Sequence, residues 1–207
     1  MTGLIFPHNK LIMKKAGSVA PQPLGLSASL ATYTGINNSR VQRTFDLSIY
    51  AGHTIRLVWS WEIDTNWESV YRSDVQLDTI AFDSNSYGFE SGVDGFTTMS
   101  AGKGRAYDSR SWVAVKSRDN GDYWCRTSGE TTTLYTGALG AQSGSYFIYA
   151  ETSSPVRYGD VMWVRSPQIV CSGNPGNCTF YEGRDLDGPD GNNDSFMDFY
   201  IDVDAQP

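Results

Sequence analysis

Ile55-Arg-Leu-Val-Trp-Ser-Trp-Glu-Ile63 decides the fold. Ile55, Leu57, Trp59, Trp61 and Ile63 fall on one face of an extended chain, with Arg56, Val58, Ser60 and Glu62 on the other. A period of two sends alternate side chains to opposite faces of a sheet, so one face of this strand meets a core. The stretch before it repeats the pattern. Val41, Arg43, Phe45, Leu47 and Ile49 share a face against Gln42, Thr44, Asp46 and Ser48, and Tyr50-Ala-Gly-His53 supplies the turn. Beyond it, Asp64 to Ser69 reads as loop, and Val75, Leu77 and Thr79 alternate with Asp74, Gln76, Asp78 and Ile80. No segment keeps helical spacing over three turns.

The second half continues in kind. Gly144-Ser-Tyr-Phe-Ile-Tyr-Ala-Glu-Thr-Ser-Ser-Pro155 is rich in aromatic and β-branched residues and ends on proline, as strand ends often do. Gly159 to Pro167, Cys178 to Tyr181 and Phe196 to Val203 supply further strands. In 207 residues, charged residues are 19%, aromatics 13%, and glycine plus proline number 29, a composition that favours a globular β-rich chain. No apolar run approaches the roughly 18 residues that would span a bilayer, so membrane insertion is not expected. The fold class expected is all-β: a jelly-roll β-sandwich with an extended N-terminal arm.

Several motifs bear a family resemblance. Phe89-Glu-Ser-Gly-Val-Asp-Gly-Phe96 resembles the opening strand of the MAM domain, a concanavalin-like jelly roll, and Trp112 falls where that family places a tryptophan. Ser143 to Ser154 is similar to its glycine, aromatic and Glu-x-Ser-Ser strand, Arg165-Ser-Pro-Gln-Ile169 to its Ser-Pro turn, and Cys178-Thr-Phe-Tyr181 to its cysteine strand. Asp74-Val-Gln-Leu-Asp-Thr-Ile-Ala-Phe82 resembles the strand that normally closes the domain, yet here it comes first. The resemblance therefore implies a circularly permuted jelly roll over residues 41–207, its old termini joined near 83–88. In that order the chain resembles bacteriophage virion surface proteins. First and last strands of a jelly roll are neighbours, so a short link between them is physically easy.

Charge divides the chain a second way. Residues 1–45 hold Lys10, Lys14, Lys15, Arg40 and Arg43 and no acid; with the whole chain at −7, residues 46–207 carry −12. Residues 1–40 read as an anchoring arm, whose Leu4, Ile5, Phe6, Lys10, Leu11, Ile12, Lys14 and Lys15 suit an acidic protein partner. The net charge repels phosphate and the basic residues are sparse, so nucleic acid is not the expected partner. Met1 to Lys15 lacks the plan of a secretory signal, with Pro7, His8, Asn9 and Lys10 breaking its apolar cluster. Without that signal, Asn37-Asn-Ser39, Asn177-Cys-Thr179 and Asn193-Asp-Ser195 read as chance matches to the glycosylation acceptor. An unprocessed chain with the habits of a surface domain suits a virion surface protein made in a host cytoplasm.

Cys171 and Cys178 flank a turn-rich loop that either closes as a disulfide or stays reduced, with Cys125 apart. Two metal sites suggest themselves, neither certain, and calcium is the cation such oxygens suit. One gathers Asp185, Asp187, Asp190 and Asp194; the other joins Glu90 with Asp74 or Asp78, because related jelly rolls bind a structural cation near their first and last strands. The first stretch lacks EF-hand spacing, and a solvated Asp/Asn/Gly turn accounts for it equally.

Glu62-Ile-Asp-Thr-Asn-Trp-Glu68 resembles the Glu-Ile-Asp-x-Glu signature of sandwich-fold glucan hydrolases, with its second glutamate displaced. Six residues of straight strand span roughly 20 Å, whereas paired glycosidase carboxylates stand about 5–9.5 Å apart. Together with the lack of a nucleophile elbow or phosphate loop, this speaks against an enzyme. The reading is a viral, bacteriophage-type structural protein: a capsid decoration or cement protein or a fibre subunit, bound to other capsid or tail proteins and forming a homo-oligomer. The alternative is a lectin-like adhesion module that holds a host surface glycan through Trp67, Tyr123 and Trp124.

Overall fold

A computed structural model describes residues 29–63, 74–101, 113–117, 123–124, 141–151, 161–186 and 195–203. The strands are β1 (Ala31–Tyr33), β2 (Ile36–Asp46), β3 (Thr54–Ile63), β4 (Asp74–Phe82), β5 (Asn85–Tyr87), β6 (Thr97–Ala101) and β7 (Val113–Ser117). They continue as β8 (Tyr123–Trp124), β9 (Tyr146–Glu151), β10 (Val161–Arg165), β11 (Ile169–Val170), β12 (Asn177–Asp185) and β13 (Ser195–Val203). Two antiparallel sheets form a sandwich. One runs β1-β13-β3-β10-β6 with β11 beside β3; the other runs β2-β12-β4-β9-β7-β8 with β5 beside β4. The all-β sandwich expected from the alternation is the architecture found.

β3 shows why. Ile55, Leu57, Trp59 and Trp61 are fully buried between the sheets. Trp59 is the centre of the core: it stacks on Phe199 of β13 at 4.9 Å and meets Phe180 of β12 edge-on at 5.1 Å. Aromatic pairs at these separations add to what area burial alone contributes.

Four local readings change. The sandwich begins at Ala31 rather than after residue 40, because β1 pairs with β13 and residues 36–40 already belong to β2. The alternation that starts in β2 stops at Asp46, where a 3-10 turn, Ser48–Tyr50, leaves Ile49 exposed. In β4, Thr79 adopts a left-handed φ of 47° and the register with β12 shifts there. That bulge rotates Ile80 into the core with Val75 and Leu77, the face the simple alternation denied it. Finally, residues 89–96 form a turn-rich loop rather than an opening strand; β6 starts at Thr97. Phe89, Gly92, Asp94 and Gly95 all have positive φ, which extended strand forbids. Phe89 and Phe96 still anchor the loop, their rings 5.4 Å apart in the core.

Candidate functional site

Three groups of polar side chains stand out, and each is built by strand register. The first fills the open flank where β1 and β2, edge strands of the two sheets, follow one another through Thr34-Gly35. Register places Arg43 opposite Phe180 and Val41 opposite Glu182, so Arg43 and Glu182 share the core-facing side of their sheet with Phe180. Glu182 is fully buried. Its Oε1 accepts from Arg43 Nε at 3.0 Å and Nη2 at 2.5 Å, from Arg184 Nη1, and from Asn37 Nδ2 at 3.3 Å. Oε2 is buried without a hydrogen-bond partner, as is the Tyr33 hydroxyl. The Tyr33 ring lies 5.2 Å from the Arg43 guanidinium carbon and 5.4 Å from that of Arg184. Burial pushes the Tyr33 hydroxyl far above its ordinary pKa, so it stays neutral. Two cations, one carboxylate and a ring face between them close this flank. A carboxylate buried this deeply requires such pairing.

The second group covers the outer face of the β1-containing sheet. A lateral row runs Thr32, Asp198, Ser60, Trp163 and Met99 across five strands. Asp198 accepts from Thr32 Oγ1, from Ser29 Oγ at 3.3 Å and from Tyr200 Oη at 2.8 Å. Burial, reinforced by the Asp198 charge, raises the Tyr200 pKa well above that of a free phenol. Val58, Val161 and Trp163 make a small apolar cluster here, with Tyr200 against it, and Arg165 Nη2 stands 2.7 Å from buried Asp202 Oδ2. Glu62 belongs to this face, opposite Phe196 and Val161. Asp64, Asn66 and Glu68, the rest of the hydrolase-like stretch, lie outside the described residues.

The third group contains acids expected to hold calcium. Asp78 is fully buried and accepts from Thr79 N at 2.6 Å, from Ser143 N at 3.3 Å and from Gln142 N. Burial raises its pKa above the usual carboxylate range despite those bonds. Glu90 Oε1 accepts from Ser145 N at 2.8 Å and Tyr146 N at 2.9 Å. Both carboxylates thus hold the main chain leading into β9. The donors engage both oxygens of Asp78 and the Oε1 of Glu90. Register puts Asp74 opposite Asp185 and Glu151 opposite Asp74, which joins members of the two expected clusters in one row. Asp187, Asp190 and Asp194 lie outside the described residues, and among those described no group of three or more His, Cys, Asp or Glu side chains is placed to hold a metal.

The remaining expected residues fall as follows. Cys171 and Cys178 are both buried free thiols rather than a bridged pair. The loop between them is closed by hydrogen bonds: Ser172 N and Oγ donate to Asp83, Gly52 N donates to Ser172 O, and Leu47 N donates to Gly176 O. Tyr123 and Trp124 form β8 at the edge of the larger sheet, while Trp67 and the arm residues Leu4, Ile5, Phe6, Lys10, Leu11, Ile12, Lys14 and Lys15 lie outside the described residues. Reasoning from sequence missed Glu182, Arg184 and Asp198. Asp198 had a local signal, since Phe199 and Ile201 alternate with it. Glu182 had none, because its partner Arg43 is 139 residues away. No protein-family model matches the chain, and no solved structure matches it.

Proposed function

We propose that the chain is a non-enzymatic structural subunit of a virus particle, of bacteriophage type, whose basic N-terminal segment anchors an acidic sandwich body to neighbouring capsid or tail proteins. The observation that carries this reading is the charge split, three positive charges and no acid in residues 1–28 against −10 in the remainder, since Arg40 and Arg43 belong to β2 of the body. Opposite charges on arm and body steer association and fix orientation between subunits. The arm would bind as extended chain, with main-chain hydrogen bonds and the side chains of Leu4, Ile5, Phe6, Leu11 and Ile12 supplying affinity. Support also comes from the body. Asp78, Asp83, Glu90, Glu182 and Asp198 accept hydrogen bonds that hold strands and loops together, which is the work of a scaffold.

The test is removal of residues 1–28, a cut that stops short of β1, followed by assay of incorporation into particles. Loss of incorporation with an intact sandwich is expected; full incorporation refutes the anchor. A second reading, adhesion to a host surface glycan, draws on the edge position of Tyr123 and Trp124 in β8. A glycan-array signal abolished by Trp67→Ala or Trp124→Ala would promote it over the first.

A further inference from the structure

Three large apolar side chains are exposed among the described residues, Leu30, Ile49 and Val170, and the last two share one end of the sandwich. Ile49 sits in the 3-10 turn after β2. Val170 ends β11, on the side of the sheet away from the core that holds Ile169. A bond from Gly52 N to Ser172 O joins the two loops that carry them. The acids beside them are Asp46, exposed just before the turn, and Asp83, which accepts from Ser172 N and Oγ. Residues 46–55, 80–88 and 166–177, which build this end, contain no lysine or arginine. The end is an apolar pair edged by negative charge.

We propose that this end seats the chain's own N-terminal segment, with Leu11 and Ile12 against Ile49 and Val170. The segment has the complementary pattern: Leu11-Ile12 lies between Lys10 and Lys14-Lys15, and residues 1–28 hold no acid. The direction of the chain agrees. Ala31 pairs with Phe199 and Leu30 N donates to Phe199 O, so from Ala31 back to Ser29 the chain runs toward Val203. Val203 pairs with Ile55, and Ile55 and Thr54 pair in turn with Ile169 and Val170. β1 and β11 are three strand spacings apart, about 14 Å, whereas extended chain from Ala16 to Ser29 spans about 45 Å. The size of the seat decides that the occupant is the same chain. A separate partner needs about 800 Å² on each side, far more than two side chains offer. A tethered segment meets its seat at an effective concentration in the millimolar range, so a small contact suffices.

The seat goes beyond the anchoring reading and does not depend on it, because its assay needs no particle. Anchoring to a partner then requires the segment to leave its seat. Trypsin is added to the full chain, and cleavage after Lys10, Lys14 and Lys15 is timed by mass spectrometry against a free peptide of residues 1–28. Cleavage in the full chain is expected to be roughly tenfold slower than in the peptide. The double variant Ile49→Ser, Val170→Ser should bring the rate to within about threefold of the peptide, with an unchanged thermal midpoint. The half-time in wild type is expected not to change with protein concentration. Cleavage of the full chain at the peptide rate overturns the inference, as does a double variant cut as slowly as wild type. Protection that grows with protein concentration also overturns it, since a second copy would then supply the segment.

Discussion

Glu182→Gln tests the flank cluster most directly. The substitution keeps the shape of the side chain and removes its charge, leaving Arg43 and Arg184 on one buried carbonyl oxygen. It also sets an amide NH2 where Oε2 now has no partner. Breaking a buried pair by removing one member typically costs about 3–5 kcal/mol. That range needs discounting, because the Arg43 side chain is 31% exposed and water screens it, whereas Arg184 at 13% has less relief. The expected loss is about 2–3 kcal/mol, which for a domain of this size lowers the midpoint by roughly 5–10 °C.

Urea unfolding followed by tryptophan fluorescence reads this well, since Trp59 and Trp61 lie wholly within the core. The transition midpoint should fall at unchanged slope, the mark of a change in stability rather than in compactness. A companion triple variant, Glu182→Met with Arg43→Met and Arg184→Met, removes every charge together and should lie within about 1 kcal/mol of wild type. A Glu182→Gln protein within about 0.5 kcal/mol of wild type would refute the claim that this carboxylate neutralises the flank.

Other outcomes follow from the same geometry. Gly144→Ala should destabilise by more than about 1 kcal/mol, because Gly144 has φ +67° and a Cβ there would sit 2.2 Å from Glu90 Oε1; thermal melts of Gly144→Ala and Glu90→Gln check it. Asp78 has a raised folded-state pKa, so its contribution favours folding most at low pH and declines as pH rises from the unfolded value through the folded one. Urea midpoints of wild type against Asp78→Asn across pH 3–7 should therefore show wild type losing its relative advantage as pH rises; a widening gap contradicts the idea that burial favours the protonated carboxyl. Cys178, with a thiol pushed up to about 12 by burial, should resist a disulfide-exchange reagent in the native protein and react only on unfolding, as timed thiol titration would show. Trp59→Ala should cost about 3–5 kcal/mol, measured by the same urea transition.

What the sequence made legible was the part governed by local periodicity. β3 reads in phase because one face is wholly core and no bulge interrupts it. β4 reads in phase only as far as Asp78; the left-handed Thr79 inserts a residue, and nothing in Asp-Thr-Ile announces it. The stretch 89–96 reads as strand through its resemblance to an opening-strand motif, yet Gly92, Asp94 and Gly95 bend the chain between two core anchors, Phe89 and Phe96. The acids at 78 and 90 read as ligands by resemblance to related jelly rolls, and the sequence does not show the peptide N–H groups aimed at them. The Arg43–Glu182–Arg184 group was invisible for a different reason. A charged residue on an alternating strand reads as solvent-facing, and only the pairing of β2 with β12 turns two of them inward together.

The same limit bears on where a partner meets this protein. In an antiparallel sandwich the outer faces usually carry the polar half of the alternation. Here they do not. Phe147, Tyr149, Gln76 and Asp78 are buried on the outer side of the larger sheet, and Val58, Val161 and Trp163 on that of the smaller. Side chains already buried there cannot meet a partner, whereas exposed apolar ones elsewhere can. The end that joins β2 to β3 offers Ile49 and Val170, exposed by 77% and 73%, with Val170 paired to Thr54 at the start of β3. Replacing both with serine should leave the urea transition within about 0.5 kcal/mol of wild type, since neither contributes to the core. Loss of particle incorporation in that variant, with residues 1–28 intact, would show that the end of the sandwich shares the anchoring. Unchanged incorporation would leave it to the arm.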